Sequence, residues 1–202
     1  MLAVAAFALA EPMRALPEAS PEATVAGLHA GLVEQSQAAP DAAFEERYAR
    51  LAPLITATHD LPYIARFALG RHWATLAADE QSRYLDAFER LSIASYAARF
   101  ARLTPESFRR AGVEPAAGGR QVVAASIVPA NAEPVPLEYV LHEAPDGWRI
   151  VNIVGAGVSD LALKRAEYQS LMSTGGFDGL IAALEEQSAR LARGEVEPAL
   201  PR

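Results

Sequence analysis

The sequence of 202 residues contains no cysteine, which excludes thiolate zinc sites, iron–sulfur clusters and cysteine nucleophiles, and leaves cytosol and periplasm both open. It also has no cluster of Lys and Arg that could follow a phosphate backbone, and its formal charge is −7. Nucleic acid is therefore not an expected partner. No segment approaches the ~18 to 20 consecutive apolar residues that a bilayer-spanning helix requires, so we expect a soluble mature protein.

The motifs of several enzyme classes are incomplete in this chain. Asp160 stands where a dinucleotide fingerprint beginning at Gly155 would need its third glycine, and Leu161 replaces the last glycine of a nucleophile elbow around Ser159. We therefore expect Ser159 or Asp160 to cap the helix that follows, and the glycines Gly155 and Gly157 to bend the preceding strand into it.

Metal and acid–base chemistry have equally little support. The segment after His142-Glu143 has Asp146 where a zincin motif needs its second histidine, and it is expected to be a strand. The paired acids Glu45-Glu46 fall at solvent-facing helical positions. We predict no catalytic residue, no metal site and no cofactor. The remaining histidines are His29, His59 and His72.

Apolar residues make up 51% of the chain, which is enough for one hydrophobic core. The first ten residues are wholly apolar and end in Ala-Leu-Ala, which is typical of a secretory signal; a short buried helix is the alternative. We predict a signal remnant and flexible leader over residues 1–19, one domain over 20–193 and a disordered tail over 194–202.

The first half of the chain has helical spacing. Ser20-Pro21-Glu22 combines a hydroxyl cap, a proline and an acid at a helix start, and this helix should end near Gln37. Further helices are expected after Pro40-Asp41, after Asp60 and from Asp79-Glu80. The last of these should present one apolar side formed by Leu85, Phe88, Tyr96, Phe100 and Leu103.

From Gly118 to Val154 the sequence pattern changes. Runs rich in β-branched residues, with apolar and polar residues in alternation, are separated by turn residues, which predicts antiparallel hairpins. The segment ESFRRAGV is a candidate for an additional edge strand. Helical spacing returns in Leu161–Met172 and Phe177–Leu191, with Gly175-Gly176 between them. We predict an α+β domain with a curved sheet of three to four strands, C-terminal helices, and an apolar cavity between sheet and helices.

Two long stretches, residues 44–100 and 147–184, resemble the toluene-tolerance family, also called the MlaC family. The resemblance covers about Pro21 to Leu191 and rests on markers in the expected order: Asp60, Gly70 and Trp73, then Tyr96, Gly147-Trp148, Gly157-Val158-Ser159 and Gly179-Leu180-Ile181. The segment GVSDLALKRAEY is most similar to the hopanoid-associated HpnM branch of this family.

This resemblance implies a periplasmic lipid carrier without catalytic activity. Its ligand would be a phospholipid or a hopanoid, and its partners an inner-membrane ABC lipid transporter and an outer-membrane acceptor protein, met only in transient contact with the membrane complexes. Each methylene removed from water contributes about 0.8 kcal/mol, so a carrier needs an apolar cavity.

Candidate lipid-binding residues are the bulky apolar side chains expected where helices and sheet meet: Phe67, Trp73, Tyr96 and Phe100 from helices, and Tyr139, Leu141, Trp148 and Ile150 from strands. Two alternatives remain at this point. One is an adaptor that stabilises a hopanoid-synthesis or transport complex without carrying lipid; it predicts a filled core and an exposed apolar patch. The other is a small hydrolase, which requires Ser159 within hydrogen-bond reach of a histidine.

Overall fold

A computed structural model describes residues 20–129 and 133–195, so the predicted leader and most of the predicted tail lie outside the described residues. The helices are α1 (Pro21–Ala38), α2 (Phe44–Thr58), α3 (Leu61–Leu69), α4 (Ala78–Arg99) and α5 (Asp160–Ala192), with a 3-10 helix over Gly70–Thr75. The strands are β1 (Phe108–Ala116), β2 (Arg120–Ile127), β3 (Val135–Ala144), β4 (Gly147–Gly155) and β5 (Val158–Ser159). The predicted α+β fold class is confirmed.

Local signals located the helix starts. The Ser20 hydroxyl accepts a hydrogen bond from the Ala23 amide at 3.1 Å, and the Asp60 carboxylate accepts one from the Tyr63 amide at 2.9 Å. Both bonds satisfy amides that the first helical turn leaves without a partner. Helix α1 ends at Ala38, one residue beyond the expected end.

The sheet has five strands in the order β1-β2-β3-β4-β5, and every neighbouring pair is antiparallel. The expectation of three to four strands was therefore too low. The uncertain edge segment is a full strand that runs through Pro115, which an edge strand tolerates because one side of its backbone needs no partner. The additional strand is β5, whose two residues pair with the end of β4.

The turn between β4 and β5 was expected to bend at Gly155 and Gly157, but it bends at Ala156 and Gly157. Ala156 and Gly157 have φ angles of 49° and 82°, whereas Gly155 is not in the left-handed region. A two-residue hairpin loop of this hand needs positive φ at both central positions, and these positions are Ala156 and Gly157. Within α5, Gly176 has φ 62° and ψ −162°, which breaks the helical path where the Gly175-Gly176 pair predicted a division.

The core joins the helices to one face of the sheet. In β2 and β3 the buried side chains alternate with more exposed neighbours, as in Val123 and Ala125 or Tyr139 and Leu141. Among the helices, the rings of Tyr84, Phe88 and Tyr168 are fully buried and meet edge to face or tilted, and the Tyr84 hydroxyl donates to the Ala65 carbonyl at 2.9 Å.

The predicted apolar side of α4 was only partly correct. Phe88 is fully buried, but Leu85 and Tyr96 are only partly buried, and Phe100 lies just beyond the helix end. Helix α4 packs against α2, α3 and α5, so its buried surface is wider than a single stripe and includes Tyr84.

Of the two residues that the sequence offered as the cap of α5, Ser159 and Asp160, the structure has Ser159 in this role. Its hydroxyl accepts a hydrogen bond from the Ala162 amide at 3.1 Å and donates one to Asn152 Oδ1 at 3.2 Å. We expect Ser159→Ala to lower the free energy of unfolding by about 1 kcal/mol, the usual contribution of a helix cap. Urea unfolding measures this change, with the exposed Ser170→Ala in the same helix as control. Equal stability of the two variants would contradict the capping role.

Candidate functional site

A cleft with a volume of about 890 Å³ lies between α1 and the start of β1. This volume is within the range of small-molecule sites, roughly 300–1,000 Å³. One wall consists of α1 residues, and the other of Pro105, Phe108 and Arg110. The α1 residues are Ala26, His29, Ala30, Val33, Glu34, Gln37 and Ala38.

Helical periodicity explains why α1 can form a wall and still belong to the core. Val25, Leu28 and Leu32 recur at helical spacing and are buried. The neighbouring stripe of the same helix contains Ala26, Ala30 and Val33, which line the cleft. Their short side chains keep the space open while leaving an apolar surface.

His29 connects the two walls. Its ring stacks on Phe108, with centroids 4.1 Å apart and planes at 7°, and its Nε2 atom lies 2.9 Å from the Tyr139 hydroxyl. Burial, together with the positive charge of Arg110, lowers the pKa of His29 from 6.5 to about 4. The imidazole is therefore neutral at pH 7, and the inner part of the cleft carries no charge from it.

Aromatic rings continue from the cleft into the protein. Phe108 lies 6.2 Å from Phe100, Phe100 lies 5.4 Å from Tyr96, and Tyr96 lies 5.4 Å from His59 (ring centroids). We call these four rings, together with His29 and Tyr139, the aromatic cluster: His29, His59, Tyr96, Phe100, Phe108 and Tyr139. They join α1, α4, β1 and β3.

His59 closes the inner end of the aromatic cluster. Its Nδ1 atom is 3.1 Å from the Ile55 carbonyl, which can only accept, so Nδ1 carries the proton and Nε2 accepts from the Tyr96 hydroxyl at 2.9 Å. Burial lowers the pKa of His59 to about 4 and raises the pKa of Tyr96 well above 10. Both groups are therefore neutral across the physiological range.

Charged side chains stand only at the outer part of the cleft. Glu34 and Arg110 line it and are exposed. Neither side chain makes an ion pair or a side-chain hydrogen bond with another of residues 20–129 and 133–195. The cleft thus combines a neutral interior with two charges of opposite sign at its opening.

The family model described as MlaC protein matches residues 28–186 of the chain. The chain belongs to the MlaC family. A solved structure of a phospholipid-binding protein from Ralstonia solanacearum, in complex with a phospholipid, is similar with a TM-score of 0.76 and 25% identity, covering 86% of this chain and 99% of that one. A comparison with curated protein sequences gave no match.

The predicted lipid-binding residues of this MlaC-family protein do not lie together: some are behind the cleft, some are in the sheet and two are outside the cleft. Tyr96, Phe100 and Tyr139 belong to the aromatic cluster behind the cleft. Leu141 and Ile150 are fully buried in the sheet, and Trp148 lies beside α1, where its carbonyl accepts from the Thr24 hydroxyl at 3.1 Å.

Phe67 and Trp73 lie on α3 and the 3-10 helix, outside the cleft. Phe67 is 41% exposed beneath the Arg165 guanidinium, which is 5.0 Å from its ring, and Trp73 lies 5.2 Å from the Arg66 guanidinium. Cation–π contacts of this kind are typical of aromatic rings near a surface.

Several residues that line the cleft were not predicted from the sequence. His29 was considered only as a metal ligand or as a histidine partner of Ser159 in a hydrolase, and neither Phe108 nor Arg110 was proposed as a site residue. The sequence signal for the cleft wall was the stripe of small residues on α1 beside its buried stripe. A search for bulky residues misses such a wall, because small side chains are the ones that leave space open.

The polar groups that could have suggested catalysis serve the fold. The Ser159 hydroxyl donates to Asn152 and accepts from the Ala162 amide of α5. His142 Nε2 lies 2.9 Å from Asp60 Oδ2, and the other carboxylate oxygen of Asp60 caps α3. Across residues 20–129 and 133–195 there is no group of three potential metal ligands. None of the helices within these ranges has the length and apolar character needed to cross a bilayer.

Proposed function

We propose that this MlaC-family protein is a lipid carrier that binds the apolar part of a phospholipid or hopanoid in the cleft between α1 and β1. The single observation that carries the proposal is a cleft of about 890 Å³ whose inner walls are apolar or neutral. The similar protein from Ralstonia solanacearum, solved with a phospholipid, supports the same ligand class.

The acyl chains enter between Val33 of α1 and Phe108 of β1. Beyond them lie Tyr139, Phe100 and Tyr96, three of the residues proposed from the sequence. Each methylene that leaves water contributes about 0.8 kcal/mol, so two long chains give a gross contribution on the order of 20 kcal/mol. The apolar cleft therefore suits transport of a molecule that does not cross water at a useful rate by itself.

The proposed route is the periplasm, between an inner-membrane ABC lipid transporter and an outer-membrane acceptor protein. Residues 1–19 would act as the export leader, and the described domain would work without catalysis. The likeness of GVSDLALKRAEY to the HpnM branch supports a hopanoid, or a phospholipid moved together with hopanoids, as cargo. The alternative is an adaptor without cargo, which predicts a filled core and an exposed apolar patch; the phospholipid in the similar Ralstonia solanacearum structure favours the carrier.

Lipid extraction tests the carrier function directly. We expect denaturing extraction of protein purified from its native host to release lipid in a roughly stoichiometric amount, identified by mass spectrometry. The same protein refolded after delipidation provides the background. Purified, folded protein that releases no lipid above this background would contradict the proposal and favour the adaptor.

A further inference from the structure

Glu34 and Arg110 are two opposite charges at the opening of one cleft, and neither forms an ion pair with another described residue. Among residues 20–129 and 133–195 some exposed charges pair, as in Arg50–Glu46 at 2.8 Å and Arg83–Asp178 at 3.2 Å, and others do not; Glu34 and Arg110 differ from the others in lining the same cleft. Within residues 20–129 and 133–195, Glu34 and Arg110 have no such partner, not even each other, although they belong to the two elements that bound the cleft.

The two charges sum to zero, and the neutral imidazole of His29 adds none. A single ligand that pairs with both side chains carries one negative and one positive group, joined to an apolar body. A guanidinium matches phosphate oxygens in a bidentate manner, and a carboxylate accepts hydrogen bonds from an ammonium group.

We infer that the cleft prefers a zwitterionic phospholipid with an amine headgroup, its phosphate at Arg110 and its ammonium at Glu34. This inference rests on the proposed lipid-carrier function and specifies its ligand. An anionic phospholipid without an amine would pair its phosphate with Arg110 but would bring no cation to Glu34. A hopanoid without a phosphate would leave Arg110 unpaired.

The expected preference is moderate because both side chains are exposed and water screens their contacts. Exposed ion pairs contribute little, which corresponds to a preference of about two- to five-fold for each contact. The apolar chains then supply most of the affinity, and the headgroup contacts select among lipids with equal chains.

A competition experiment tests the preference. Delipidated protein is incubated with vesicles that contain equal amounts of phosphatidylethanolamine and phosphatidylglycerol with identical acyl chains, and the bound lipid is counted by native mass spectrometry. We expect wild type to carry about two- to five-fold more phosphatidylethanolamine. Glu34→Gln should bring this ratio close to one, and Arg110→Gln should reduce the binding of both lipids by a similar factor.

Two variants control for the change in charge. Arg109→Gln removes a cation from the residue next to Arg110 that does not line the cleft, and Glu45→Gln removes an exposed anion from α2. Both should keep the wild-type ratio. Bound lipid with an equal ratio in wild type, or an unchanged ratio in Glu34→Gln, overturns the headgroup inference alone. Folded wild type that takes up neither lipid overturns the carrier function as well.

Discussion

Ala30→Trp is expected to reduce the lipid that copurifies with the protein roughly tenfold or more. Ala30 lies on the cleft wall of α1 with an exposed side chain, so an indole there fills the space that the acyl chains need. Overpacking of a filled site costs about 1–3 kcal/mol, which corresponds to a loss of affinity of roughly five- to 150-fold. Extraction followed by mass spectrometry gives the ratio of lipid to protein for this variant and wild type.

Ala23→Trp is the matched control for this experiment. Ala23 is exposed on the first turn of the same helix and does not line the cleft. Both variants should keep the stability of wild type, because neither alanine is part of the buried stripe of α1. A folded Ala30→Trp protein with the lipid content of the control would show that the ligand binds elsewhere.

Acidification from pH 7 to pH 5 is expected to lower the free energy of unfolding by about 2 kcal/mol for each of His29 and His59. Burial lowers the pKa of both rings from 6.5 to about 4. The unfolded chain binds a proton on each ring as the pH falls through 6.5, whereas the folded chain does so only near pH 4. The contribution of the two neutral rings to the free energy of unfolding is therefore complete above pH 6.5, the pKa in the unfolded chain. It is lost progressively as the pH falls from 6.5 to about 4, the pKa in the folded protein.

Urea unfolding at several pH values measures this dependence. His29→Gln and His59→Gln should each retain about half of the loss between pH 7 and pH 5, whatever their stability at neutral pH. The double variant should retain little of it. Single variants that both keep the full wild-type dependence would show that other groups are responsible.

The parts of the fold that depend on neighbouring residues were predictable from the sequence. The caps at Ser20 and Ser159 act within a single helical turn, so the residues that form them stand close together in the chain. Short loops pair strands that follow one another, and this gave the antiparallel order. The strand count was too low because β5 has only two residues, which is too short for an alternating pattern of its own.

The cleft was much less predictable. His29 and Tyr139 are 110 residues apart and meet through a single hydrogen bond, and Phe108 stacks on His29 from a third element. The prediction chose bulky residues, yet Phe67 and Trp73 lie near the surface under arginines, while alanines form much of the open wall. Side-chain size alone does not tell whether a position fills space or borders it.

The sequence by itself determined an α+β chain, its helix caps, its antiparallel hairpins and its family, because periodicity, caps and turns act over a few residues and the family markers stand in a fixed order. Only the tertiary structure decided where the cleft lies, that His29 and His59 are neutral, and that Glu34 and Arg110 come together at its opening. These properties arise when the helices pack onto the sheet, since desolvation, stacking and open volume depend on which distant residues come together.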